Sequence, residues 1–275
     1  MPDPLFFIDS NRQREYNQIK DIISFSKLNK VVTSMNNRNP LAPIPNQLFA
    51  DPNHIDIVSI EDPLICISDI FQDIMVFQPK YYECGIPGAI PQIYVRKTVS
   101  EMLLSAARAL PAGFKLKIFD AWRPFAVQKA LYDDYFSNLR QAFEGKLKSD
   151  AELHKMASLF VSYPSTDPNS PFVHSTGGAV DLTIVDPSGK ELNMGTDFDE
   201  FSDAAHTAYF ETGSDIEIRD NRRLLYHTML SAGFTNYPSE WWHYDYGDRF
   251  WAAITNRKSI YPGIYMNPSS EHPHK

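Results

Sequence analysis

Apolar residues recur along this chain at two spacings, and most of its elements follow from them. In "VSEMLLSAARALPAGF" Met102, Leu103, Ala106, Ala107 and Leu110 fall at helical spacing, and Pro111 with Gly113 ends the run. "KLKIFD", residues 115–120, alternates as a strand does. Proline suits a first helical turn, so a second helix is predicted from Pro124 through "FAVQKALYDDYFSNLR", with Arg123 at the strand-to-helix corner. A helix over 150–160 and the turn-rich "YPSTDPNSPFVH" lead into "HSTGGAVDLTIVD", whose β-branched second half reads as a strand. "FDEFSDAAHTAYF" and "RDNRRLLYHTMLSAG" both read as helices, the second closed by Gly233. "WWHYDY" reads as a final strand, with one tryptophan facing the core and the other the opposite side.

Between 55 and 95, "HIDIVSI", "DIMVFQ" and "QIYVRK" are separated by Pro and Gly turns and predict short strands. Upstream, 10–29 has helical spacing at Ile19, Ile22, Ile23 and Phe25, and "NNRNPLAPIPNQ" breaks it. The expected division is an N-terminal extension over 1–55, helical in part, a main domain over 56–265 and a polar tail over 266–275. Helices and strands mix without a βαβ repeat, so the expected class is α+β: a small, mostly antiparallel sheet flanked by helices.

Charge narrows the ligand. A formal net charge of −8 repels nucleic acid and anionic membranes, and favours a small cationic or zwitterionic partner. No apolar run approaches the roughly 20 residues of a membrane-spanning helix. "MPDPLFFIDSNRQREYNQIK" has neither a basic n-region nor an apolar h-region, so the cytoplasm is the expected compartment. Cys66 and Cys84 lack the paired spacing of a structural zinc site, and a disulfide between them stays open. Nothing in the sequence specifies an oligomeric state.

Of the eight histidines, His206 and His227 fall on predicted helices, His54 and His154 lack a ligand partner nearby, and His272 and His274 belong to the tail. His174 differs, because Asp181 follows seven residues later across "STGGA". Seven is odd, so on a regular strand the two would face opposite sides; a turn at Gly177 and Gly178 would let both reach one ion. The plain alternative is a loop histidine and an aspartate opening a strand. With His243 as a third ligand the site would be His/Asp/His, leaving one tetrahedral position for water, and Glu240 could take that water's proton. The plain alternative there is a turn carboxylate and a core histidine. Arg123 at its corner, oriented by Asp120, could stabilise an oxyanion or simply form a surface ion pair.

In order, "DAWRP", "HSTGGAVDLT", "MGTDFDEF", "NRRLLYHTMLSAGF" and "EWWHY" resemble the D-alanyl-D-alanine dipeptidases, the vancomycin-resistance family of zinc peptidases, over roughly residues 80 to 250. The resemblance implies one zinc per chain on His174, Asp181 and His243, with Glu240 as general base and acid and Arg123 stabilising the transition state. It implies Asp199 as partner of a dipeptide's amino group and sets Tyr81 against a family tyrosine. The implied function is zinc-dependent hydrolysis of D-alanyl-D-alanine or a related D,D-dipeptide, in cell-wall peptide turnover or glycopeptide resistance. The alternatives are a D,D-carboxypeptidase or peptidoglycan peptidase on the same scaffold, or a non-catalytic zinc-binding muropeptide sensor. One departure stands out: Phe172 and Val173 occupy positions before His174 where the family carries carboxylate-binding serines.

Overall fold

The computed structural model describes residues 40–143, 148–158, 160–167 and 170–265. The predicted helix at 10–29 and the polar tail lie outside these residues. In chain order, the strands are β1 (Leu64–Cys66), β2 (Val76–Phe77), β3 (Tyr94–Arg96), β4 (Lys115–Asp120), β5 (Ala179–Val185), β6 (Thr235–Asn236) and β7 (His243–Asp245). The helices are α1 (Ile67–Ile70), α2 (Lys80–Glu83), α3 (Lys97–Ala109), α4 (Phe125–Ala142), α5 (Asp150–Ala157), α6 (Ile216–Ser231) and α7 (Arg249–Thr255). The class is α+β.

One five-stranded sheet runs β2-β4-β5-β7-β6, with β2 parallel to β4 and every other pair antiparallel. β1 and β3 form a separate antiparallel pair. The central strand β5 shows why the sheet can carry chemistry. Its even residues Val180, Leu182 and Ile184 enter the core beside Leu103, Leu225 and Met229 of α3 and α6. Its odd residue Asp181 therefore faces the other side, and on β7 Tyr244 is in the core while His243 and Asp245 share the Asp181 side. Truncating a core residue such as Leu182, fully buried, would cost about 2–5 kcal/mol.

The predicted α3, β4 and α6 are present, and α6 ends at Ala232 with Gly233 in the left-handed region, φ 103°. The second helix starts one residue late, with Pro124 as its N-cap. α5 opens on a capping box in which Ser149 and Glu152 exchange bonds with each other's backbone N–H. Three expectations are corrected. "FDEFSDAAHTAYF" forms only the 3-10 turns Asp203–Ala205 and Tyr209–Thr212, with His206 ending the first. The physical reason is that the Ala204 and His206 carbonyls accept from the Arg222 guanidinium and the Ala205 carbonyl from the Trp241 N–H, so this backbone is committed to tertiary partners. "HIDIVSI" makes a single bridge, Ile57 to Ser259, rather than a strand. Trp241 and Trp242 lie in the turn before β7, and both are core residues at 3% and 2% exposure, so neither faces the site. Cys66 and Cys84 are free thiols.

Residues 40–55 lie against this body. The Ile44 N–H donates to Glu211, Arg223 donates to the Leu41 carbonyl, and His227 Nε2 to that of Ala42. Phe49 packs edge-on against Tyr237 and Phe250, at 5.0 and 4.8 Å between ring centroids. Among the described residues no helix is long and apolar enough to cross a membrane.

Candidate metal centre and its cavity

Register builds the site. Asp120 on β4 is paired with Asp181 on β5, and Asp181 with His243 on β7, so three polar side chains stand in one row across three strands. Ile118 pairs with Leu182 on the core face, and Asp120, two residues on, would share that face in a regular strand. A bulge between Ile118 and Asp120 sets two β4 residues against one on β5 and turns Asp120 to the Asp181 side.

His174 reaches the row from outside the sheet. It sits in the 3-10 turn Val173–Thr176, and Gly177 ends that turn in the left-handed region at φ 73°. A Cβ on Gly177 would stand 2.5 Å from Leu64, and one on Gly178 2.3 Å from the Tyr246 carbonyl, so the chain needs glycine at both. The turn is tied to the β4–α4 corner, because the Arg123 N–H donates to the His174 carbonyl at 3.1 Å. The odd spacing of His174 and Asp181 is thus resolved by a turn.

Ligand-capable atoms of His174, Asp181 and His243 lie within 4.8 Å of one another, and all three residues are buried. The far nitrogen of each imidazole is taken. His174 Nδ1 donates to the Ala121 carbonyl at 2.8 Å, leaving Nε2 3.3 Å from Asp181. His243 Nε2 donates to Asp245 at 2.7 Å, leaving Nδ1 3.0 Å from Asp181. Orienting an imidazole through its second nitrogen is how proteins aim a histidine at a metal.

The electrostatics suit a cation. Burial, with the Arg123 guanidinium nearby, pushes His174 well below its ordinary pKa, so it is neutral and able to ligate. Burial opposes the charge of Asp181, but the two imidazoles and Arg123 outweigh it and hold the carboxylate below its usual range. Burial also opposes a charged His243, yet Asp245 and Asp181 on either side outweigh it and raise this imidazole well above its ordinary value. A position that so favours positive charge accepts a divalent ion in place of a proton. Two imidazoles and one carboxylate, each oriented from behind, are a donor set that fits zinc.

Arg123 is enclosed as well. Its Nε donates to Asp120 at 2.8 Å, Nη1 to Gln128 at 2.8 Å, and Nη2 to the Tyr81 hydroxyl at 3.2 Å and to Asp181 at 3.4 Å. Burial alone would weaken its charge, but the surrounding phenol and carboxylates more than restore it. Burial raises Asp120 to about 7 despite Arg123. The Tyr81 hydroxyl donates to Asp199 at 2.8 Å, and Asp199 itself is a non-glycine residue in the left-handed region, φ 62°. Aspartate is among the few residue types that tolerate this conformation. Burial, followed by the nearby Asp181, raises Asp199 to about 6. Glu240 stands 3.9 Å from His243 Nδ1, and burial raises its carboxyl to about 8, with Asp181 and Asp199 adding to the shift and His243 opposing it.

These groups open on a cavity of about 210 Å³, lined by Tyr81, Arg123, Asp199, Glu240 and the three ligand-capable residues. Asp120 stands behind Arg123. The eight residues singled out from the sequence therefore come together. Sequence reasoning missed three groups: Gln128, the Ala121 carbonyl and Asp245. Asp245 carried a readable signal, since "HYD" on a strand puts it on the His243 side. Behind it lies Asp248, whose carboxyl burial and Asp245 raise well above the usual range, and which caps α7 by accepting from the Trp251 N–H. Pro171 and Phe172 precede the ligand turn and Val173 opens it; Phe172 and Val173 line the cavity.

A buried His/Asp/His cluster with the Glu240 carboxyl beside it, at the floor of an acidic cavity, defines the class: a candidate mononuclear metal centre. The chain belongs to the peptidase M15 family of D-ala-D-ala dipeptidases, whose profile matches residues 90–259. That span holds all the site residues except Tyr81. A D-alanyl-D-alanine dipeptidase of Synechocystis is 32% identical over 179 residues, 60% of this chain and 72% of that protein. One from Enterococcus faecalis is 27% identical over 162 residues, covering 58% and 70%. A solved vancomycin-resistance D,D-pentapeptidase in complex with Zn(II) aligns weakly, with a TM-score of 0.34 and 19% identity over 56% of this chain and 73% of that one.

Proposed function

We propose that this chain is a zinc-dependent dipeptidase that hydrolyses D-alanyl-D-alanine or a closely related D,D-dipeptide. The observation that carries the reading is the His174, Asp181 and His243 cluster at the floor of a cavity that also presents Glu240. Family membership supports the substrate class.

His174 through Nε2, His243 through Nδ1 and the Asp181 carboxylate would hold the zinc. Bound there, zinc supplies Lewis acidity and lowers the pKa of a water towards about 7. Glu240 takes the proton of the attacking water and passes it to the leaving amine. Arg123, kept charged and held at all three nitrogens, stabilises negative charge developing on the peptide oxygen. Asp120 and Gln128 fix its plane. Asp199 pairs with the free ammonium of the dipeptide, and Tyr81 orients that carboxylate.

The paired ammonium separates this reading from a carboxypeptidase on the same scaffold, since an acyl-extended substrate would leave Asp199 buried and uncompensated. Hydrolysis of D-Ala-D-Ala and of its N-acetylated form, each with and without a chelator, is the test. The expected result is chelator-sensitive cleavage of the free dipeptide and little cleavage of the acetylated one. Preference for the acetylated form would overturn the dipeptidase assignment.

A further inference from the structure

Beside Asp134, Ser158 and Ser162 the cavity wall carries aromatic rings that the fold does not bury. Phe160 and Phe201 are 50% and 52% exposed, although they are among the largest apolar side chains. With Tyr135 they form a mutually packed trio: ring centroids stand 5.8 Å apart for Tyr135 and Phe160, 5.1 Å for Tyr135 and Phe201, and 6.0 Å for Phe160 and Phe201. The three come from separate segments, α4, the stretch after α5 and the stretch after Asp199, and all three line the cavity. An exposed apolar cluster continuous with a concave site marks a surface meant to be covered.

Charge points the same way. Among the described residues lining the cavity, Arg123 is the one permanent cation, and all three of its nitrogens already bond Asp120, Gln128, Tyr81 or Asp181. Deeper in, Phe172 and Val173 add apolar wall at 4% and 5% exposure. Where these rings and this wall meet a ligand, they offer removal of apolar surface from water.

We infer that Tyr135, Phe160 and Phe201 form a subsite for a large apolar side chain, and that the protein prefers D,D-dipeptides bearing one over di-D-alanine. The inference rests on the reading of this cavity as a dipeptide site. A methyl group cannot cover three rings, whereas a benzyl group can; apolar contacts of that size discriminate by tenfold or more.

The experiment compares D-Ala-D-Ala, D-Ala-D-Phe and D-Phe-D-Ala on the zinc-loaded protein and on its Phe160→Ala and Phe201→Ala variants, whose folding is checked by thermal melting. In wild type at least one phenylalanine dipeptide exceeds di-D-alanine in kcat/KM by about tenfold. In each variant that advantage shrinks several-fold, through KM. Binding of the same dipeptides to Glu240→Gln by calorimetry reads the subsite without turnover. If no dipeptide is cleaved but the phenylalanine forms bind tighter and lose that gain in Phe160→Ala/E240Q, the peptidase reading falls and the subsite stands. If di-D-alanine is cleaved and neither phenylalanine form is favoured, or the variants lose both substrates equally, the subsite falls and the peptidase reading stands. If no dipeptide binds, both fall.

Discussion

Arg123 and Arg222 are both buried, at 7% and 1% exposure, and both use every guanidinium nitrogen, yet they meet different partners. Arg222 donates to three backbone carbonyls, Met194 at 2.7 Å, His206 at 2.6 Å and Ala204 at 2.7 Å, and stacks against Phe210. It pins the loop that carries Asp199 to α6, and burial lowers its pKa to about 10 because peptide dipoles do not compensate a full charge. Arg96 acts likewise on the carbonyls of Thr176, Asp62 and Pro262. Arg123 instead meets the side chains of Asp120, Asp181, Gln128 and Tyr81, and the phenol and carboxylates keep it charged. A buried arginine bound to backbone builds shape, whereas one bound to ionisable side chains sets the charge of a site.

That contrast can be broken by one substitution made twice. Arg123→Lys keeps the charge beside Asp120 but loses the planar fork, so kcat is expected to fall by about 10²–10³ with the thermal midpoint little changed. Arg222→Lys cannot reach three carbonyls with one ammonium; stability is expected to fall by about 2 kcal/mol or more, with kcat of the folded fraction within a few-fold of wild type. Kinetics and thermal melts on both variants decide. Two variants with the same profile would erase the distinction.

A smaller effect tests the same idea on an anion. Asp245 is fully buried and faces His243, so Asp245→Asn is expected to weaken zinc by about 10–100-fold in a chelator competition, with the fold intact. Unchanged affinity would show that Asp245 does not aim the imidazole.

Much of this was legible in the residues, for reasons that can be named. "STGGA" announced the turn that brings His174 to Asp181, and "EWWHY" offered His243 with Glu240 three residues before it. The Asp120 row was not legible, because the bulge in β4 reverses its facing and leaves no mark on the hydrophobic pattern. The false helix at "FDEFSDAAHTAYF" fails for a related reason: its apolar spacing is helical, but Arg222, far along the chain, claims its carbonyls. The two tryptophans misled because strand alternation was extended into a turn, where adjacent side chains can bury together. The aromatic trio at the cavity mouth joins three segments distant in sequence, and no local pattern reports such a meeting.

The central claim is that Glu240 moves the proton beside a zinc it does not hold. Zinc content and D-Ala-D-Ala turnover, measured together on wild type and Glu240→Gln, test it most directly. The account predicts one zinc per chain in both proteins and a rate loss of at least about 10²-fold in the variant. Retained activity in a zinc-loaded variant, or loss of the metal with the substitution, would contradict it.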